Sequence, residues 1–207
     1  MNSHALSPAV IRRFIILMLV ATFVMFTGWA VVREYFEAPP GDYETRQGDI
    51  LLTDKKYDEA IAKFSEALEQ SPNHRGALMG RAITLLQAGR HDEAEAEFGD
   101  LIRFLTETVE PDDATGIGVL AAAYANRGIL YDREARFEAA FADYQQSLKI
   151  DPGAVAGPGL MHKIILHARP STVAERARYL QEQLALPEDQ RVLHVPEIDA
   201  KQRMHKP

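Results

Sequence analysis

Residues 57–72, YDEAIAKFSEALEQSP, return at 137–152 as FEAAFADYQQSLKIDP, aligned without a gap. The two copies set Tyr57 on Phe137, Ala60 on Ala140, Phe64 on Tyr144, Leu68 on Leu148 and Pro72 on Pro152. In the first copy Tyr57, Ala60, Phe64, Ala67 and Leu68 fall at intervals that stack side chains on one face of an α-helix, while Asp58, Glu59, Lys63, Glu66 and Glu69 take the opposite face. The closing proline lacks an N–H and disfavours helical geometry in the residue before it, so both helices end there. A helix with one apolar stripe must bury it, and writing the same stripe twice implies stacked modules rather than one irregular core.

Each copy follows another helical stretch with a small residue in mid-face, RQGDILL around Gly48 and YANRGILY around Gly128. Glycine inside a helix costs about 1 kcal/mol relative to alanine, a loss that close approach of the paired helix can offset. Ala60 and Ala140 supply the small side chain from the opposite helix. A weaker third version lies between the copies: Leu78, Ala82 and Leu85 on one helix, Gly89 at its end, then His91, Ala94, Phe98 and Ile102 on another. The three versions keep one period if about twelve extra residues sit near 109–120, where VEPDDATGIGVL carries turn-forming residues. The second helix of the middle unit can also run on through LIRFLTETV.

This pattern resembles the tetratricopeptide repeat family, whose unit is a helix-turn-helix of about 34 residues. The marks are Gly48, Leu51, Tyr57, Ala60, Phe64, Ala67 and Pro72, then Leu78, Ala82, Leu85, Gly89, Ala94 and Phe98, then Tyr124, Gly128, Tyr131, Phe137, Ala140, Tyr144 and Pro152. The resemblance implies an all-α solenoid of about three repeats over 41–152, divided as 41–74, 75–120 with the insertion, and 121–154. Beyond it, Gly157-Pro158-Gly159 breaks the chain, and Val173, Ala177, Leu180 and Leu184 form a further helical stripe. A degenerate capping helix pair is expected over 155–187, followed by an extended tail at 188–207.

The other strong constraint is N-terminal. Residues 14–32, FIILMLVATFVMFTGWAVV, contain no charge. As a helix they would run about 28 Å, close to the roughly 30 Å hydrocarbon core of a bilayer. Arg12 and Arg13 precede the span, and acidic residues including Glu34, Glu37 and Asp42 follow it. That asymmetry keeps residues 1–13 in the cytoplasm and sends the rest across, into the periplasm if the membrane is a bacterial inner membrane. Trp29 and Tyr35 suit an interfacial belt, and 33–40 form a proline-stiffened linker. Gly28-Trp29-Ala30 offers a signal-peptidase site, but the apolar run is long and continues past it, which favours a retained signal anchor.

Composition narrows the function. With 23 Lys+Arg against 30 Asp+Glu the formal charge is -7, which disfavours a nucleic-acid partner. There is no cysteine, so thiolate ligands, disulfides and a cysteine nucleophile are excluded. No phosphate-binding glycine loop and no G-x-S-x-G elbow occurs. His162 and His167 lack the four-residue spacing that aims two ligands at one metal. No metal, cofactor, small-molecule substrate or catalytic constellation is expected.

Surface recognition remains. In the family resembled, the first helix of each unit lines a groove for a partner's peptide or helix. By position that groove comprises Asp42, Thr45, Asp49 and Leu52, then Met79, Ile83 and Leu86, then Ala122, Asn126, Ile129 and Arg133. The family's clamp for a C-terminal carboxylate needs Lys, Arg and Asn, and this chain has Thr45, Asp49, Gly80 and Ala122 at such places, with only Asn126 of the right kind. The resulting surface is apolar at its centre and acidic at the Asp42 end. It suits an apolar helix or extended segment of a membrane or envelope protein, or else these side chains pack against the chain's own tail from Val192 onward or against the insertion, partner binding and self-occupation being weighed evenly. The expected function is a non-enzymatic, membrane-tethered scaffold or adaptor. A constitutive accessory subunit of a membrane complex is the alternative, and a periplasmic envelope enzyme the remote one.

Overall fold

A computed structural model describes residues 7–36, 39–156, 172–195, 202, 204 and 205. The chain divides into two compact units, residues 1–39 and 40–207. The described residues of the first hold one helix, α1 (Pro8–Phe36). Its stretch Pro8–Val32 has a mean hydropathy of 2.4 and none of it is buried inside the unit. The Thr27 hydroxyl donates to the Phe23 carbonyl at 2.8 Å, so its polar group is satisfied within the helix. By length and composition α1 is able to cross a membrane.

Among its described residues the second unit is built of α2 (Asp42–Thr53), α3 (Tyr57–Gln70), α4 (Arg75–Gln87), α5 (His91–Thr108), α6 (Ala114–Arg133), α7 (Phe137–Ile150) and α8 (Val173–Leu184), with a 3₁₀ turn at Glu188–Gln190. Each of α2 to α7 packs on its successor, so α2/α3, α4/α5 and α6/α7 are antiparallel pairs. α2 also packs on α4, and α4 on α6, which makes the first helices an inner layer. α8 lies on α7 and closes the stack.

The same turn joins the helices of every pair. Lys55 N–H donates to Leu52 and Lys56 N–H to Leu51; Gly89 donates to Leu86 and Arg90 to Leu85; Ala135 donates to Asp132 and Arg136 to Tyr131, all at 2.8–3.2 Å. This is a Schellman cap, which needs a left-handed residue just past the helix. Lys55, Gly89 and Ala135 take it with φ of 60°, 77° and 57°.

The glycines expected to allow close approach do so. A Cβ on Gly48 would stand 2.7 Å from the Phe64 ring, and one on Gly128 would stand 2.7 Å from the Tyr144 ring. Ala60 and Ala140 are fully buried on the facing helices. Ala60, Phe64, Ala67 and Ala77 form a first core cluster, and the larger cluster runs from Met79 through Leu180, with Leu52 touching both. Two pairs share an ion pair sixteen residues apart: Arg81 with Glu97 at 2.8 Å and Arg127 with Asp143 at 2.7 Å. Burial pushes the Asp143 carboxyl up despite that partner, while the hydrogen bond to Asp143 holds Arg127 more firmly protonated.

The extra residues of the middle unit differ from expectation. Instead of an insertion over 109–120, α5 runs to Thr108 and α6 starts at Ala114. Leu101, Ile102 and Leu105 are buried and prolong the apolar stripe of α5. Asp113 starts α6 by accepting from Gly116 N–H at 2.8 Å and pairing with Arg75 at 2.5 Å. The connection is short, and residues 114–120 belong to the first helix of the third pair. Of the expected capping pair, α8 is present with a Thr172/Glu175 capping box; its partner would fall on 157–171, outside the described residues. The tail begins with the 3₁₀ turn rather than extended backbone, and residues 191–195 follow without regular secondary structure.

Candidate functional site

The inner layer of α2, α4 and α6 carries the residues that sequence position assigned to a groove. Asp42 opens α2, and its Oδ1 lies 2.8 Å from Nε2 of His74, whose Nδ1 accepts from Ala77 N–H and caps α4. The acidic end is thus partly engaged inside the repeats. Thr45 is buried, Asp49 and Leu52 are half-buried, and Arg133 is exposed. Met79, Ile83, Leu86, Ala122, Asn126 and Ile129 are all buried, none more than 3% exposed.

Their burial involves a segment from outside the three pairs. Asn126 Nδ2 donates to the His205 carbonyl at 2.7 Å, and His205 N–H donates to Asn126 Oδ1 at 2.7 Å. A primary amide has one acceptor and two donors, so it fits the N–H and C=O of a single residue in an extended chain. Asn126 Nδ2 also lies 3.5 Å from the Met79 sulfur. One residue before His205, Met204 packs on the large core cluster and its sulfur is 3.6 Å from Gln87 Nε2. Burial lowers the pKa of the His205 imidazole, because its charged form is poorly solvated there.

Beside this contact lies a buried polar network. Arg176 on α8 donates to both carboxylate oxygens of Asp132 on α6, at 2.7 and 2.6 Å. Tyr144 hydroxyl and Gln202 Nε2 donate to the same carboxylate at 3.1 and 2.6 Å, and Arg176 also donates to the Leu193 carbonyl at 3.0 Å. Burial, with the nearby Asp132 carboxylate, drives the Tyr144 pKa well above its ordinary value. Ile129, Tyr144, Thr172, Val173, Arg176, Gln202 and His205 enclose a cavity of only about 10 Å³, so the region is filled.

Asp132, Arg176, Gln202 and Met204 did not emerge from sequence reasoning. One signal was available: Arg176 occupies a core-facing position between Val173 and Ala177, and a buried guanidinium requires a carboxylate partner. Among the described residues no cluster of three or more His, Asp or Glu side chains is arranged to hold a metal ion.

Comparison with known proteins fits the geometry. Tetratricopeptide repeat models match residues 51–107, from the end of α2 to α5, and residues 121–153, over α6 and α7. Those two stretches carry tetratricopeptide repeats. Hsp70-Hsp90 organizing protein 3 of Arabidopsis thaliana is 26% identical over 120 residues, covering 58% of this chain and 19% of that protein. Human tetratricopeptide repeat protein 13 is 29% identical over 130 residues, covering 49% of this chain and 15% of that protein. The chain therefore spans less than a fifth of the length of these curated relatives. Among solved structures, the TPR2AB domain of yeast Sti1 in complex with pHSP90 superposes with a TM-score of 0.54 at 19% identity, over 70% of this chain and 47% of that one. The first tetratricopeptide repeat domain of RPAP3 bound to the HSP90 peptide SRMEEVD gives 0.51 at 17% identity, over 72% of this chain and 97% of that one. These likenesses establish the stacked-hairpin fold.

Proposed function

We propose that this chain is a membrane-tethered, non-enzymatic adaptor whose tetratricopeptide repeats hold an extended, largely apolar segment of a protein partner. The observation that carries this reading is Asn126, a fully buried amide in an apolar layer that pairs with both main-chain groups of one residue. Met79 on the neighbouring helix α4 and Ile129 on α6 itself supply apolar surface beside it. A site of this kind takes affinity from main-chain hydrogen bonds and preference from the side chains beside them. The peptide complexes named for yeast Sti1 and RPAP3 support a peptide ligand in general. A terminal-carboxylate clamp is not part of the proposal, because Thr45, Asp49, Gly80 and Ala122 supply no cation.

The tether in this reading is α1, with Arg12 and Arg13 on the cytoplasmic side and the repeats on the opposite side, periplasmic in a bacterial inner membrane. Confinement to a membrane raises the effective concentration of any partner anchored beside it. The test is a photo-reactive residue at position 83 in native membranes, combined with protease added to sealed, outward-facing vesicles. Capture of a membrane or envelope protein together with digestion of the repeats agrees with the reading. Capture of nothing, or repeats that stay protected until the vesicles are opened, overturns it.

A further inference from the structure

We infer that Gln202, Met204 and His205 of the chain's own tail act as a built-in occupant of the repeat groove, holding it shut until an extended segment of similar chemistry displaces them. The inference rests on the peptide-groove reading above and names what competes for it. Asn126 is fully buried on a face otherwise made of Met79, Ile83 and Ile129, and its two good hydrogen bonds both go to the His205 main chain. A buried amide left without partners there would be costly, so this position calls for a peptide backbone.

Three further contacts fix the same short segment. Gln202 Nε2 donates to Asp132 Oδ2 at 2.6 Å and Met204 packs on the core cluster, its sulfur 3.6 Å from Gln87 Nε2. His205 helps enclose the nearly filled space bounded by Ile129, Tyr144 and Arg176. The contacts alternate between a polar side chain at 202, an apolar one at 204 and a main-chain pair at 205. Lys206 and Pro207 follow, so Asn126 reads an internal peptide unit, not a carboxylate. A competing ligand is therefore an internal extended segment with a methionine-sized apolar residue just before the peptide unit that pairs with Asn126. Because the tail is tethered, its effective concentration is high, and a free ligand must outcompete it.

The probe is a fluorescent synthetic peptide of residues 196–207, PEIDAKQRMHKP, titrated into detergent-solubilised protein. The expected result is binding to a chain ending at Val195 at least about tenfold tighter than to the full chain. Asn126→Ala in the shortened chain is expected to lose about tenfold. Since shortening could loosen the cap, full-length Met204→Glu is tested alongside and is expected to bind the peptide better than the unmodified chain. Equal binding to full and shortened chains, or binding to neither the shortened chain nor Met204→Glu, overturns the inference. The peptide assay needs no membrane partner. Tight peptide binding combined with no capture by position 83 in membranes would remove the adaptor reading and leave the tail contact standing.

Discussion

Arg176 and Asp132, forty-four positions apart, meet as a bidentate ion pair with side chains 1% and 2% exposed. That pair joins the cap helix α8 to the first helix of the third repeat, and Tyr144, Gln202 and the Leu193 carbonyl add to it. A buried ion pair recovers little more than its desolvation cost, so its main effect is to fix which surfaces meet.

Breaking one side of the pair is costly because the other charge stays buried. Arg176→Met is expected to destabilise the cap by about 3–5 kcal/mol. Hydrogen exchange over 173–184 is expected to rise towards that of an undocked helix, with a smaller effect on α2 to α5. Adding Asp132→Leu to Arg176→Met is expected to restore much of the loss. Unchanged protection of α8 in the single variant would mean that the pair does not hold the cap.

The three equivalent Schellman turns allow a prediction of opposite signs at matched positions. Lys55 and Ala135 hold a left-handed conformation that costs an L-residue roughly 1 kcal/mol, and Gly89 holds it freely. Ala135→Gly is expected to stabilise by about 0.5–1 kcal/mol and Gly89→Ala to destabilise by a similar amount. Both residues are exposed, so neither change disturbs packing. Urea unfolding followed by circular dichroism reads both, and a destabilised Ala135→Gly would contradict the turn assignment.

How much of this was legible in the sequence depends on whether the interaction was local. The spacing of Tyr57, Ala60, Phe64 and Ala67 placed the α3 stripe, and Gly48 and Gly128 marked the close approaches, because periodicity and glycine cost act within one or two turns. The insertion at 109–120 was misplaced because Asp and Gly residues there signal a turn, whereas Asp113 caps α6 and Gly116 and Gly118 are buried within it. Asn126 stood out as the one clamp-like residue of the inner layer. Its pairing with His205 spans seventy-nine positions, and no periodicity encodes a contact between a repeat and an irregular tail.

Close packing at one glycine and open space at another give a second paired test. Gly128→Ala would drive a methyl into the Tyr144 ring, which is buried and tied by its hydroxyl to Asp132 and so has no room to swing away. Overpacking typically costs about 1–3 kcal/mol, more than the roughly 1 kcal/mol gained in helix propensity. Gly99 has nothing within 4 Å of an added Cβ on the outer helix α5, so Gly99→Ala is expected to stabilise by roughly 0.5–1 kcal/mol. Thermal melts of the two variants are expected to move in opposite directions. A shared direction would place Gly128 away from the α6–α7 contact.

Docking of the tail is expected to depend on pH through His205. Burial lowers its pKa in the docked state, whereas an undocked imidazole titrates near about 6.5. The undocked state therefore binds the proton more readily. His205's contribution to docking is fully present above about 6.5 and is lost as pH falls through the depressed docked value. Among the described residues, Arg176 lines this pocket beside His205 and is paired with Asp132, Arg133 lies near both Asp132 and Tyr144, and Tyr144 stays protonated because its pKa is raised. Exposure of the docked side chains can be read from the rate at which Met204 is oxidised by dilute peroxide. That rate is expected to increase several-fold between about pH 8 and about pH 5, after correction for the pH dependence of a free methionine peptide. His205→Gln keeps the main-chain bonds to Asn126 but removes the titration, so its profile is expected to be much flatter. A steep profile in His205→Gln would assign the release to the carboxylates, and a flat one in the unmodified chain would mean that protonation of His205 does not free the tail.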